Sequence, residues 1–191
     1  MIQATYDQLK TIATANHIND TDIYDLNVWG IRNSSRIANA FDDTLAIAYI
    51  DANKNKRIFT CPMTVDPGLY YLKNPLNHKG CAIIPEGQYL FMNLGLHKGY
   101  TALAQRKAIK VFRDNDKNLV GWAITNNLVA TGLIYIELYR IITNTVDKFS
   151  AGCQVVQIPE DFNYVISLVK LQDKYIKSKI VSYTLISERE L

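Results

Sequence analysis

A thiol acts as a nucleophile where the chain exposes it on a bend and supplies a base to take its proton. One stretch has that form. Phe149-Ser150-Ala151-Gly152-Cys153-Gln154-Val155 sets a cysteine after a small Ser-Ala-Gly turn and ahead of an apolar run. Backbone N–H groups on such a turn can stabilise an oxyanion. The competing reading is an inert cysteine buried in a strand, the common fate of a free thiol. The chain's histidines, the candidate bases, are His17, His78 and His97. His17 lies in a polar turn, and His78 lies in the loop-like Asn74-Pro75-Leu76-Asn77-His78-Lys79-Gly80. Each of the three also reads as a solvated surface histidine. His97 departs most from that, because Gly95-Leu96-His97-Lys98-Gly99-Tyr100 brackets it with glycines after a strand candidate. Such glycines permit the backbone angles that active-site loops use.

Other candidates carry less. Asp66-Pro67-Gly68 reads as a rigid turn, either a hairpin corner or a wall beside a substrate groove. Asp114-x-Asp116-x-Asn118 has calcium-loop spacing, but Leu119 and Thr125 stand where that loop needs Gly and Glu, so a surface hairpin turn is expected. Cys61, Cys81 and Cys153 show no Cys-x-x-Cys and no metal spacing. A Cys61–Cys81 disulfide would need an oxidising compartment, so three free thiols are expected. No metal or cofactor is expected.

The elements that would position these residues emerge from periodicity. Residues 4–16 read as a helix, with Tyr6, Leu9, Ile12 and Ala13 at helical spacing. Residues 17–22 have turn chemistry, and Asp20 or Asp22 could cap the next element. A β-like section then begins. Residues 45–50 and 57–61, joined by the polar 51–56, predict a hairpin. Further strands are expected over 87–92, 107–113, 133–138 and 153–158. Pro159-Glu160-Asp161 then opens a helix, suited to its N-terminal dipole, whose buried face is Phe162, Val165, Ile166 and Val169. Residues 179–186 read as a final strand. The expected fold class is α+β, mainly β. It is one domain over 1–191: an N-terminal helix and turn (1–23), a β-rich core (24–158), and a helix plus final strand (159–191).

Composition narrows the function classes. The formal charge of +3 over 191 residues is spread rather than striped, so nucleic-acid binding has no electrostatic support. No segment approaches the roughly 18 apolar residues of a membrane span. The first residues, Met1-Ile2-Gln3-Ala4-Thr5-Tyr6-Asp7, have no basic start or apolar core, so no secretory signal is expected.

The cysteine run resembles the Trp-Ser-Ala-Gly-Cys-Gln-Val run of a group of phage and bacterial proteins, themselves similar to the L,D-transpeptidases with their Ser-His-Gly-Cys signature. The likeness extends to Leu26-Asn27-Val28-Trp29-Gly30-Ile31-Arg32, Phe41-Asp42-Asp43-Thr44, Thr64-Val65-Asp66-Pro67-Gly68, Gly87-Gln88-Tyr89 and the segment 95–105, in the same order over about residues 24 to 165. The resemblance implies an L,D-transpeptidase-like β-sandwich or barrel with flanking N- and C-terminal helices. It also implies acyl transfer on peptidoglycan stem peptides. Cys153 takes the nucleophile's place, and Ser150, Ala151 and Gly152 take that of the turn before it. The family's histidine lies in a Gly-Ile-Asn-Ile-His-Arg-like strand. Here that strand reads Tyr135-Ile136-Glu137-Leu138-Tyr139-Arg140, with Tyr139 in the histidine's place and Arg140 beside it.

A phenol with a pKa of about 10 is a poor base at neutral pH, and loss of a positioned base removes about 10²–10⁴-fold in rate. Two readings result. The chain is an enzyme of this kind with His97 as replacement base, or it has kept the scaffold as a non-catalytic virion structural or wall-binding protein. The implied partners are stem peptides or other virion proteins. The implied setting is synthesis in a host cytoplasm without a signal peptide, with virion association. A third reading is an unrelated β-rich binding module with a buried cysteine. The first two predict that Cys153 begins a strand at the edge of a groove and that His97 and Tyr139 approach it.

Overall fold

A strand that is apolar on both faces needs cover on both, and the segments 27–32 and 43–50 obtain it. The computed structural model describes residues 1–16, 22–35, 37–114, 119 and 128–191. His17, Asp20 and the 115–118 part of the turn after residue 114 lie outside the described residues. Helix α1 (Tyr6–Ala15) opens with a capping box in which the Thr5 side chain accepts from the Gln8 N–H while the Gln8 side chain accepts from the Thr5 N–H. Its Leu9 and Ala13 pack onto Trp29, Ile31, Ala46, Ala48 and Ile186. Strands β1 (Asn27–Arg32) and β2 (Asp43–Ile50), which carry most of those partners, turn Val28, Leu45 and Ile47 the other way into the main core.

Strand β3 (Lys56–Thr64) pairs antiparallel with β2 from Ile50↔Lys56 to Asp43↔Met63. Asp51 organises the turn between them, accepting N–H bonds from Asn53 and Asn55, both 2.9 Å, and one from Arg57 Nε at 2.8 Å. The hairpin read from the sequence is therefore present, with both strands longer than expected. Asp66-Pro67-Gly68 is not a hairpin corner. It leads from β3 into helix α2 (Leu69–Lys73), with Gly68 as its N-cap.

Strand β4 (Cys81–Ile83) belongs to a small sheet. Strands β5 (Gly87–His97) and β6 (Tyr100–Gln105) form a second hairpin, in register at His97↔Tyr100. Strands β7 (Ile109–Asp114) and β8 (Leu128–Gly132) complete the small sheet in the order β4-β7-β8. The expected strand over 133–138 is corrected. Only β9 (Leu138–Arg140) pairs there. Tyr135 has φ 58, which no strand accommodates, and the Ile134 and Ile136 N–H groups donate to the Gln105 side chain at 3.2 and 3.0 Å.

Strand β10 (Gln154–Val156), helix α3 (Pro159–Ile176) and strand β11 (Ile180–Ser187) come next, and a 3₁₀ turn (Glu188–Glu190) ends the described elements. The large sheet closes into a barrel in the order β1-β11-β5-β6-β9-β10-β3-β2. β11 is thus an integral stave, parallel to β1 and antiparallel to β5, and not an appendage to the helix before it. The molecule is mixed α+β and mainly β, with helices towards both ends of the chain. α3 buries Phe162, Val165, Ile166 and Val169, the face that the sequence indicates.

Space inside the barrel is tight at Gly30. A Cβ there would lie 2.0 Å from the Tyr183 hydroxyl and 3.1 Å from Leu185. Gly30→Ala is expected to lower stability by roughly 1–3 kcal/mol, the usual cost of overpacking. Gly132→Ala, with nothing within 4 Å of the new methyl group, is the matched control and leaves the denaturation midpoint unchanged.

Candidate functional site

Cys153 stands immediately before β10 on a turn held by its own side chains. The buried Ser150 hydroxyl donates to the Cys153 carbonyl at 2.8 Å and accepts the Gly152 N–H at 3.1 Å. Ser150 O in turn accepts the Gly68 N–H at 2.8 Å, which joins the Asp-Pro-Gly segment to the turn. Gly152 has φ +130, and a Cβ on it would lie 2.2 Å from the Ala82 carbonyl of β4. Both the backbone angle and the close approach require glycine there. Ala151 and Cys153 line a cleft of about 410 Å³. The expected placement of Cys153, at a groove and at the start of a strand, is what the structure has.

β10 lies parallel to β9, with Gln154↔Leu138 and Val155↔Tyr139 as partners. The Gln154 N–H donates to Glu137 O at 2.9 Å. This pairing sets Glu137 beside the cysteine. The thiol donates to Tyr135 O at 3.6 Å. Burial pushes the Cys153 thiol up to about 11; the Glu137 N–H opposes that shift, the Glu137 carboxylate adds to it, and Lys98 opposes it weakly. The sulfur is therefore a protonated thiol at neutral pH.

His97 closes β5 instead of lying in a loop. It precedes a two-residue turn of Lys98 (φ 46) and Gly99 (φ 91), the positive pair that a tight right-twisted hairpin requires. Its Nδ1 bonds the Glu137 carboxylate. Its ring lies flat on Tyr139, centroids 4.1 Å apart and planes 10° apart, and edge-on to Tyr100. Tyr139 is 2% exposed, and burial, then the neighbouring Cys153, Tyr100 and Glu137, hold its hydroxyl proton well above the phenol range. It cannot serve as a base at neutral pH.

The structure thus gathers His97, Glu137 and Tyr139 around the strand-turn junction that carries Cys153. No hydrogen bond among the described residues joins His97 to the sulfur. The imidazole is engaged by Glu137, and the Gly152 N–H is used within the turn by Ser150. Arg140 is displaced to one side. It lies over the Tyr100 ring at 5.1 Å and lines a separate pocket of about 330 Å³ with Lys170. His78 is exposed, and no hydrogen bond among the described residues joins it to the sulfur. Cys61, Cys81 and Cys153 are all free thiols, and Cys81 donates to Tyr71 O at 2.9 Å.

Sequence reasoning missed Glu137, Lys98 and Arg113. Glu137 had a signal: it is the one charge inside an apolar run, two residues before Tyr139. Arg113 sits in an alternating strand, where a charge reads as solvent-facing.

Among the described residues, no group of three or more His, Cys, Asp or Glu could hold a metal, and no helix is long and apolar enough to cross a membrane. Protein-family models, curated proteins and solved structures gave no match to the chain.

The elevated thiol pKa sets a pH profile. Alkylation of Cys153 by iodoacetamide is expected to be slow at pH 7 and to rise close to tenfold per pH unit up to about pH 10, bending only near 11. Mass spectrometry of the labelled peptide over pH 6–11 measures this. A plateau below pH 8 would mean a stabilised thiolate and an active nucleophile.

Proposed function

We propose that this chain is an L,D-transpeptidase-like cysteine protein that binds or acts on peptidoglycan stem peptides, with catalysis weak or lost. The observation that carries the reading is the Cys153 turn. A glycine at φ +130, a serine that binds both ends of the turn, and a strand parallel to the one bearing Tyr139 together hold a sulfur at the edge of a cleft. A barrel with this site supports the scaffold that the motifs imply. The chemistry the scaffold would perform is attack of sulfur on a peptide carbonyl, breaking the C–N bond and releasing the amine, which takes the thiol's proton. The resulting thioester is resolved by an incoming amine or water, which restores the thiol.

Two features favour weak over vigorous turnover. The thiol has no hydrogen-bonded base among the described residues, and the residue in the base's place is a buried phenol. These same features favour the second reading, a wall-binding or virion structural protein that keeps the cleft and has lost the reaction.

Digestion of purified sacculi, with products resolved by chromatography, tests this. The wild-type protein is expected to release or cross-link stem peptides slowly at best, and Cys153→Ala is expected to release nothing. Tyr139→His is expected to raise activity by roughly 10²-fold, because an imidazole accepts the thiol proton where a phenol does not. Robust wild-type turnover abolished by His97→Ala would identify His97 as the base. Turnover indifferent to Cys153→Ala would overturn the nucleophile. Retention on sacculi without turnover in any variant would leave the binding protein as the better reading.

A further inference from the structure

The cleft that receives Cys153 also receives a cation. Arg113, on β7, lines it together with Gly80, Ala82, Ile134, Tyr135 and Ile136. Its side chain is half-buried. Nη1 donates to Gly80 O at a long 3.3 Å, and Nε is sealed from solvent with no acceptor among the described residues. No carboxylate among the described residues pairs with it. The walls around it are mostly apolar, with Asn77 also among the lining residues.

A desolvated guanidinium without a partner is costly, and most proteins neutralise one with a carboxylate. Arg also presents a planar fork of donors that matches a carboxylate in two-point contact. Burial lowers its affinity for a proton, and the neighbouring Cys81 opposes that shift. The described residues supply no counter-charge, and the guanidinium lines a cleft through which a ligand can deliver one.

We infer that Arg113 is a carboxylate-binding subsite of the Cys153 cleft, and that its occupant is a peptide bearing a free carboxylate. The apolar wall formed by Ile134, Tyr135 and Ile136 takes the peptide's aliphatic portion, and Arg113 fixes its polarity relative to the sulfur. The choice of peptide rests on the function proposed above; the anion preference rests on the cleft alone.

The two parts separate experimentally. Alkylation of Cys153 is compared for iodoacetate and iodoacetamide at pH 9 and low salt, with Cys153→Ala subtracting Cys61 and Cys81. The iodoacetate-to-iodoacetamide rate ratio is expected to fall roughly fivefold in Arg113→Gln and to stay near wild type in Arg113→Lys. It is also expected to fall in wild type as salt rises. Arg113→Met, which keeps the stem's volume, replaces the Gln variant should that unfold. A ratio unchanged in a folded Arg113 variant overturns the subsite. In parallel, calorimetry compares a stem peptide with free carboxylates against its amidated counterpart. About tenfold tighter binding of the acid, lost in Arg113→Gln, is expected. Equal binding of both peptides overturns the subsite and leaves the peptide reading standing. Binding of neither peptide, with an Arg113-dependent alkylation ratio, overturns the peptide occupant and leaves the anion subsite standing.

Discussion

The buried side chain of Gln154 is the constraint on which the site depends. An amide taken out of water must find hydrogen bonds or cost several kcal/mol. Gln154 finds them across the barrel interior. Its Oε1 accepts the Tyr183 hydroxyl, and its Nε2 reaches Val65 O and Gly152 O, each at 3.4 Å. Tyr183 lies on β11 and Gln154 on β10, which are not neighbours in the barrel. The bond therefore ties the residue after Cys153 to the far side of the core. It leaves the turn little freedom, because the same amide also holds Gly152.

Rigidity of this kind fixes where the sulfur sits without making it reactive. Electrostatic support for a thiolate would need a positive neighbour or a base in contact. The charge that the parallel strand pairing brings to Cys153 is instead Glu137, whose carboxylate disfavours the thiolate and binds His97. The imidazole, flat against Tyr139, is built into an aromatic stack. Turn, cleft and parallel strand pair are present, while burial first, and then the Glu137 carboxylate, favour the protonated form of the sulfur over the opposing pull of Lys98. The cleft's own cation, Arg113, lies on the small sheet and not beside the sulfur's strand.

Two sheets cooperate in this arrangement. The barrel carries Cys153, Tyr139, Glu137 and His97. The three-stranded sheet supplies Ala82, whose carbonyl closes on Gly152, and Arg113. The long β-hairpin of β5 and β6 ends beside β9, and that brings His97 to Tyr139, far from it in sequence.

Local pattern marked α1 and α3, whose apolar residues face one side, and the apolar runs of the β2–β3 hairpin and β11, which are covered on both faces. It also marked the cysteine turn, because Ser-Ala-Gly before a cysteine has few uses other than a tight bend. The segment 133–138 has the alternation of a strand without being one. The Ile134 and Ile136 N–H groups are taken by the Gln105 side chain, a partner 29 to 31 residues away in sequence. The status of His97 was likewise beyond the sequence. Glycine spacing marks a turn, but only the hairpin's register and its approach to β9 decide that the imidazole meets Glu137 and Tyr139. Local chemistry thus determined where a nucleophile could stand. Tertiary structure decided its charge state and its neighbours, because burial and pairing between distant strands set both.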